Sequence, residues 1–266
     1  MKPAETLSVA KWQQELQAAA QPGKTAILSS FFKTGKGEYG EGDTFIGVTV
    51  PANRAVSRRY AWLSLDEISE MIDSEVHEFR LGGMLALVER YRKARTDADR
   101  NAVVDFYLAN GHKANNWDLV DLSSPYILGA EIAAGRRTGQ IDRLIASGNL
   151  WRQRIAMVSM LNPVMKHGDT AMATATASKL ITHPHDLMRK AVGWVLREVG
   201  KKDIDALLRF LSTHIASISA TTLSYATEKL PKEERLHWRT LRRTSQSPST
   251  LATPNKNVFE FNSNIN

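Results

Sequence analysis

The chain has 266 residues, of which 42% are hydrophobic and 24% are charged, so it can bury the core of one large domain or two small ones. It contains no cysteine, which excludes disulfides, thiolate metal sites and cysteine nucleophiles, and it lacks the run of about 18 apolar residues that a membrane helix requires. The net charge of +7 favours a polyanionic partner such as nucleic acid.

The N-terminal stretch carries Glu5, Lys11 and Glu15 where a secretory signal peptide has an apolar run. Together with the absence of cysteine, this predicts a protein of the reducing cytoplasm. We also expect no association with a membrane.

Residues 33–44 (KTGKGEYGEGDT) are rich in glycine and charge and are predicted to form a loop. The GKGEYG at 35–40 matches the glycine pattern of dinucleotide-binding proteins, but no predicted strand precedes it and no βαβ unit surrounds it. The GKT at 23–25 lacks the earlier glycine of a Walker loop, because Ala18 stands at that position. Neither segment is therefore predicted to bind a nucleotide.

Most of the remaining chain shows apolar residues at three- and four-residue steps, the pattern of amphipathic helices. Clear examples are residues 76–94, 150–165 and 187–202. Candidate N-caps precede helical runs at Asp66, Ser74 and Asp186. The alternating run FIGVTV (45–50) is the one hint of a strand, and it ends at Pro51. The fold class is therefore predicted to be all-α.

The helices repeat along the chain. Superposing them places Gly83, Val120, Ala156 and Gly193 at equivalent positions with spacings of 37, 36 and 37, and Ala226 follows after 33 more residues. Small residues in the middle of a helix indicate close approach of a neighbouring helix, although Val120 is not small. Periods near 40 built from helix pairs predict a superhelix of HEAT-like repeats with a concave binding face.

Large polar and aromatic residues recur on equivalent helices of this repeat. Trp117 and Asp121 are four residues apart and share one helix face, and Trp194 and Arg197 share a face three residues apart. Arg154 lies on the helix between them in sequence. Stacked repeats could align these five side chains along one concave groove.

Each of these side chains also has a purely structural explanation. Both tryptophans could belong to the core. Asp121 could face water or pair with an arginine of the next repeat, and the two arginines could form ion pairs between repeats. Asp118, next to the motif, is expected to cap a helix or to face water.

Two further segments carry no predicted chemistry. His183, His185 and Asp186 lie in THPHD (182–186), where a turn at Pro184 and a helix cap explain them better than a metal site does.

Residues 1–243 are predicted to form a single domain. Residues 244–266 are polar and are predicted to be a disordered tail, in which Phe259 and Phe261 could make transient contacts.

Several motifs resemble, in residue identity, spacing and order, those of the AlkD family of bacterial DNA glycosylases. They are YGEGDTFIGVTVP (39–51), HEFRLGGMLALVERYRK (77–93), WDLVD (117–121), LWRQR (150–154) and KAVGWVLRE (190–198). The resemblance spans residues 25–240 and implies a superhelix of HEAT-like repeats, in agreement with the period of the chain.

The resemblance also implies roles for the five candidate residues. Asp121 would be the catalytic carboxylate, and Trp117 and Trp194 would contact the deoxyribose of the lesion. Arg154 and Arg197 would hold the DNA backbone around it. The chain departs from the family at Ala220 and Ser224, where relatives often carry arginine, so the resemblance does not imply this part of the contact with the DNA backbone.

The activity that the resemblance implies is hydrolysis of the N-glycosidic bond of cationic alkylated bases, such as N7-methylguanine and N3-methyladenine, in duplex DNA. The lesion would stay stacked in the helix, and an abasic site would be left for base excision repair. No lysine stands out as suited to lyase chemistry, so a monofunctional hydrolase is expected. We expect no metal or organic cofactor, and a monomer that works on the bacterial nucleoid in the cytoplasm.

The alternative is a non-catalytic HEAT-like module that binds damaged or branched DNA or a protein partner, because a fold does not fix a function. The two classes differ in what they need to retain. A module without activity has no need for Asp121 together with both tryptophans, and all three are present.

Overall fold

The computed structural model describes residues 7–246, and it confirms the all-α prediction. The helices are α1 (Val9–Ala18), α2 (Pro22–Phe31), α3 (Val50–Ser57), α4 (Leu65–Ile72), α5 (His77–Lys93), α6 (Asp97–Ala109), α7 (Trp117–Asp121), α8 (Leu128–Ala133), α9 (Gln140–Ala146), α10 (Leu150–Ser159), α11 (Leu161–His167), α12 (Ala171–Leu180), α13 (Asp186–Lys202), α14 (Ile204–His214), α15 (Ala220–Ala226) and α16 (Lys232–Gln246). Short 3-10 turns follow α3 and α6. None of the helices in this part of the chain is long and apolar enough to cross a membrane.

The predicted domain boundary falls inside α16, which continues to Gln246. The first three residues of the proposed tail are therefore helical. The rest of the tail, with Phe259 and Phe261, lies outside the described residues.

The suggested strand at 45–50 does not form, because a carboxylate satisfies its backbone. The side chain of Glu78, at the start of α5, accepts hydrogen bonds from the N–H groups of Ile46, Gly47 and Val48 at 2.7–3.2 Å. Val50 then begins α3. Within residues 7–246 the β pairing is a single isolated bridge, between Thr44 and Val76.

The capping positions differ from those predicted by one or two residues. Ser64, and not Asp66, caps α4, and its capping box with Glu67 satisfies two backbone N–H groups reciprocally. Val76 precedes α5, and Ser74 accepts a hydrogen bond from the Val76 N–H at 3.1 Å. Asp66 lies in the first turn of α4, where its negative charge interacts favourably with the helix dipole.

The five helices that carry the repeated positions pack in series, as stacked helical repeats require. Helix α5 contacts α7, α7 contacts α10, α10 contacts α13, and α13 contacts α15. The repeated positions are all buried, at Gly83, Val120, Ala156, Gly193 and Ala226.

Two of these positions require glycine because a second helix approaches closely. A Cβ at Gly83 would lie 2.6 Å from the Ile72 side chain of α4. A Cβ at Gly193 would lie 2.5 Å from the Cβ of Tyr225 and 2.7 Å from the backbone oxygen of Thr222. Glycine at 193 therefore allows α15 to lie directly on α13.

A buried charged cluster ties the 33–44 loop to α5 and α7. The two ring nitrogens of His77 lie 2.8 Å from a carboxylate oxygen of Asp118 and 3.2 Å from one of Asp43. Arg80 pairs with the other oxygen of Asp43 at 2.5 Å. Burial disfavours a charged ring, but the bonds to Asp118 and Asp43 outweigh it and raise the pKa of His77 to about 9.

Of the two alternatives expected for Asp118, to cap a helix or to face water, the second is wrong. The side chain is buried and bonds the His77 ring, while its second oxygen accepts the N–H of Leu119 at 2.9 Å. The loop that precedes α3 is thereby fixed against the helix that begins at Trp117.

Candidate active site

All five predicted site residues line one cavity of about 690 Å³. Trp117 and Asp121 are the first and last residues of α7, Arg154 lies on α10, and Trp194 and Arg197 lie on α13. The serial packing of these three helices brings together residues that are far apart in the sequence. The structure therefore assembles the constellation that the repeat pattern predicts.

Asp121 is held by Arg154 in a bidentate pair. The guanidinium donates from Nε to Oδ1 at 3.0 Å and from Nη2 to Oδ2 at 2.8 Å. Its Nη1 donates to the backbone oxygen of Leu187 at 2.5 Å, so all three nitrogens have partners. The Arg154 side chain is 5% exposed and that of Asp121 is 14% exposed.

The groups around Asp121 have opposite effects on the pKa of its carboxyl. Burial raises the pKa of the carboxyl above its ordinary value, and the neighbouring Asp118 adds to that effect. The charge and hydrogen bonds of Arg154 act in the opposite direction and favour the ionised form. The pairing of Asp121 with an arginine of the next repeat is thus one of the alternatives that the sequence left open.

Both tryptophans are half-buried, with one side on the core and another on the cavity. Phe32 stacks on Trp117 with ring centroids 5.2 Å apart, and Phe31 meets the same indole edge-on at 5.6 Å. Phe31 also lines the cavity and is 61% exposed. The indoles are therefore fixed by packing and still present surface to a ligand.

Arg197 is engaged by two carboxylates. It pairs with Glu228, two residues after α15, and lies 3.3 Å from its neighbour Glu198. Its side chain is 20% exposed, so it is more accessible than that of Arg154. Contact of either arginine with DNA remains a prediction.

Sequence reasoning missed several residues that line the same cavity. Lys33 and Tyr39 come from the 33–44 loop, and Tyr225 comes from α15. Burial raises the pKa of the Tyr39 hydroxyl. The loop was recognised as a loop, but its return to α7 depends on the charged cluster at His77, for which the local sequence gives no signal.

Lys190 also lines the cavity, and it is one turn after Asp186 on α13. Its ammonium lies 2.8 Å from the Asp186 carboxylate. The hydrogen bond to Asp186 raises the pKa of Lys190, so the amine stays protonated.

His185, another cavity residue, takes the capping role that was predicted for Asp186. Its Nδ1 accepts the backbone N–H of Leu187 at 3.2 Å, and Asp186 becomes the first residue of α13. Burial lowers the pKa of His185, so the ring is neutral at pH 7. His183 accepts the N–H of His185 at 3.1 Å and lies 3.0 Å from Gln153.

The THPHD residues thus act in capping, turn and ion-pair contacts. In the described part of the chain, no group of three or more histidine, aspartate or glutamate side chains is placed to hold a metal ion.

The chemistry available in this cavity follows from its residues. A carboxylate that is held in place by a guanidinium can stabilise a positive charge that develops next to it in the cavity. Two indole faces add to the same preference, since their π-systems attract cations.

Comparisons with known proteins agree with this architecture. A solved structure described as a predicted DNA alkylation repair enzyme from Enterococcus faecalis matches with a TM-score of 0.62 and 19% identity, over 80% of this chain and 97% of that chain. At this identity the match shows a shared fold. No curated protein matches the chain. Residues 12–230 match the family model of DNA alkylation repair enzymes, and the chain therefore belongs to that family.

Proposed function

We propose that this protein is a monofunctional DNA glycosylase, which hydrolyses the N-glycosidic bond of N7-methylguanine and N3-methyladenine in duplex DNA. The observation that supports it best is the Asp121 carboxylate, held by Arg154 in the cavity that both tryptophans line. Membership of the DNA alkylation repair family supports the class of substrate.

The reaction needs little chemical assistance because the substrate is already activated. Alkylation at N7 of guanine or N3 of adenine makes the base a cation, so it can leave with the bonding electron pair without being protonated. The deoxyribose then carries a positive charge shared between C1′ and the ring oxygen. Water attacks C1′, loses its proton, and leaves an abasic site together with the free base.

Asp121 is the group that stabilises the charged sugar and orients the attacking water. A carboxylate offers about four lone-pair sites, and Arg154 occupies two of them, so the carboxylate can still interact with the sugar or the water. Preorganised electrostatic groups of this kind contribute ~10²–10³ in rate. Arg154 favours the ionised form of the carboxylate and so opposes the effect of its burial.

Trp117 and Trp194 pack on the deoxyribose and favour its developing positive charge, with a contribution of ~0.5–2 kcal/mol. We propose that the damaged base stays stacked and that only the sugar is gripped, as the resemblance to AlkD-type enzymes implies. Arg197 exchanges its carboxylate partners for a backbone phosphate when DNA binds, which fixes the register of the duplex.

A lyase step is not part of this proposal. A Schiff base requires a neutral amine, and Lys190, one of the two lysines that line the cavity, is kept protonated by its ion pair with Asp186. We therefore propose simple hydrolysis with the phosphodiester backbone left intact.

The direct test is release of the base. Purified protein is incubated with a duplex that contains one N7-methylguanine, and the free base is measured by chromatography. Release above the spontaneous rate supports the proposal. Binding of the same duplex without release contradicts it and favours the non-catalytic alternative.

A further inference from the structure

A second cavity, of about 500 Å³, lies between α15 and α16. On the α15 side it is lined by the small residues Ala220 and Ser224. On the α16 side it is lined by Arg239, Arg242 and Arg243. Helix α16 begins at Lys232, after the end of the matched family region at residue 230, so this arginine cavity is built on a part of the chain outside that region.

The arginine cavity concentrates positive charge without nearby acidic residues of its own helix. Between Arg235 and Gln246, α16 carries no aspartate or glutamate. Among residues 7–246, neither Arg239 nor Arg242 forms an ion pair with a carboxylate, although the Nε of Arg242 donates to the backbone oxygen of Ile218 at 2.7 Å. The guanidinium groups of Arg239 and Arg242 on this cavity repel each other, and an anion bound between them would remove that repulsion.

This cavity and the candidate active site open on the same face of α15. The exposed residues of that helix include Ser224 and Tyr225, which are neighbours in the sequence. Ser224 lines the arginine cavity, and Tyr225 lines the active-site cavity. Glu228, one turn after Ser224, pairs with Arg197 of the active site. A duplex that covers the active site therefore passes beside the arginine cavity.

We propose that Arg239, Arg242 and Arg243 bind a phosphate of the DNA backbone near the lesion. The guanidinium fork matches two phosphate oxygens, and the small side chains of Ala220 and Ser224 leave space for the phosphate. The bound phosphate belongs to the part of the duplex beside the lesion, because residues of α15 line both cavities. The inference rests on duplex DNA as the partner and not on the excision chemistry.

The first test measures affinity with the full chain and an undamaged duplex. The double variant Arg239→Gln/Arg243→Gln changes two exposed side chains and leaves Arg242 with its backbone contact. We expect binding to weaken about tenfold, as for loss of a charge-assisted contact. The slope of log K against log salt should fall by about 0.9 for one lost phosphate contact. Arg209→Gln on α14, an exposed arginine outside both cavities, is the matched control and should leave affinity and slope unchanged.

The second test locates the phosphate. A single uncharged methylphosphonate linkage is placed in turn at each position around the lesion. Among the positions at which a methylphosphonate weakens binding by the wild-type protein, one should show no additional loss in the double variant, and that position is the phosphate held by the arginine cavity.

The outcomes separate this inference from the proposed function. Unchanged affinity and salt slope in the double variant, or an equal loss in the control, would overturn the arginine site even if base release is normal. Normal DNA binding without release of any base would contradict the proposed glycosylase and leave the arginine site supported by its own result. If the wild-type protein does not bind a duplex, both are wrong.

Discussion

Replacing Arg154 by glutamine separates two roles that this arginine could have. If it holds a DNA phosphate, the variant should bind the duplex more weakly and still excise at saturation. The structure instead shows Arg154 buried and bound to both oxygens of Asp121. We therefore predict that Arg154→Gln acts mainly on the rate of excision, because Asp121 loses the group that orients it and favours its ionised form.

The size of the effect follows from the two hydrogen bonds. A hydrogen bond to a charged group contributes about 1.5–3 kcal/mol, and 1.4 kcal/mol corresponds to a factor of ten. If the variant loses the stabilisation of one such hydrogen bond in the transition state, its single-turnover rate at pH 7 should be ten- to a hundredfold slower. Lysine at position 154 retains the charge but cannot form the bidentate pair, so Arg154→Lys should be intermediate.

The pH profile provides a second readout. Asp121 acts as a carboxylate, so activity is present above its pKa and is lost as pH falls through it. Burial already raises this pKa and Arg154 opposes the rise. Arg154→Gln should therefore move the acidic limb of the single-turnover profile to higher pH.

The control is a double-mutant cycle with Asp121→Asn, measured on the same N7-methylguanine duplex. If Arg154 acts through Asp121, then Arg154→Gln adds little further loss of rate in the Asn background. Additive losses of rate, or an unchanged rate with weaker binding, would refute the positioning role and support a phosphate contact.

Three further predictions address DNA binding, stability and substrate range. Arg197→Ala should weaken binding to damaged and undamaged duplex alike, since phosphates carry no sequence information. The slope of log K against log salt should fall by about 0.9. An unchanged slope in a binding titration would make Arg197 a purely structural partner of Glu228. The His77 cluster should make the free energy of unfolding depend on pH, because the pKa of His77 is about 9 in the folded protein against an ordinary value of 6.5. The stabilisation by protonated His77 is complete below pH 6.5 and is lost as pH rises toward 9. Denaturant unfolding at pH 6 and pH 9 should differ by up to about 3 kcal/mol, and His77→Gln should remove most of that difference; an equal difference in the variant would assign it to other groups. Uncharged lesions such as uracil and 1,N6-ethenoadenine should stay intact in the same duplex. Their release requires an acid that protonates the departing base, and the neutral ring of the cavity residue His185 is a poor acid. Efficient uracil release by the wild type that is lost in His185→Gln would show that general-acid catalysis operates.

Relations within one helix could be predicted from the sequence because helix geometry fixes them. Trp117 and Asp121, four residues apart, do share α7 and one cavity. The repeat period also identified the helices that pack in series, since each repeat buries the same face against the next.

Relations between elements far apart in the sequence could not be predicted in the same way. The bidentate pair of Arg154 with Asp121 depends on the relative placement of α10 and α7, and the sequence left it as one alternative among several. The position of Tyr39 in the cavity depends on the loop anchored by Asp43 and His77, which are 34 residues apart.

Local patterns were misleading where one long side chain replaced regular backbone pairing. The FIGVTV segment has the alternation of a strand, but Glu78 binds its N–H groups and no neighbouring strand is needed. Asp118 was expected to cap a helix or to face water, and its burial is possible because His77 supplies the opposite charge.

If the Asp121 carboxylate drives hydrolysis of the N-glycosidic bond, removing its charge must slow base release. We would measure this in single turnovers on an N7-methylguanine duplex, with the wild type and with Asp121→Asn. Asparagine keeps the shape of the side chain but removes its charge. We predict that the wild type releases free N7-methylguanine, and that the variant binds the duplex nearly as well but releases the base at least ~10-fold more slowly. Equal rates for the two proteins would remove Asp121 from the mechanism and contradict the account.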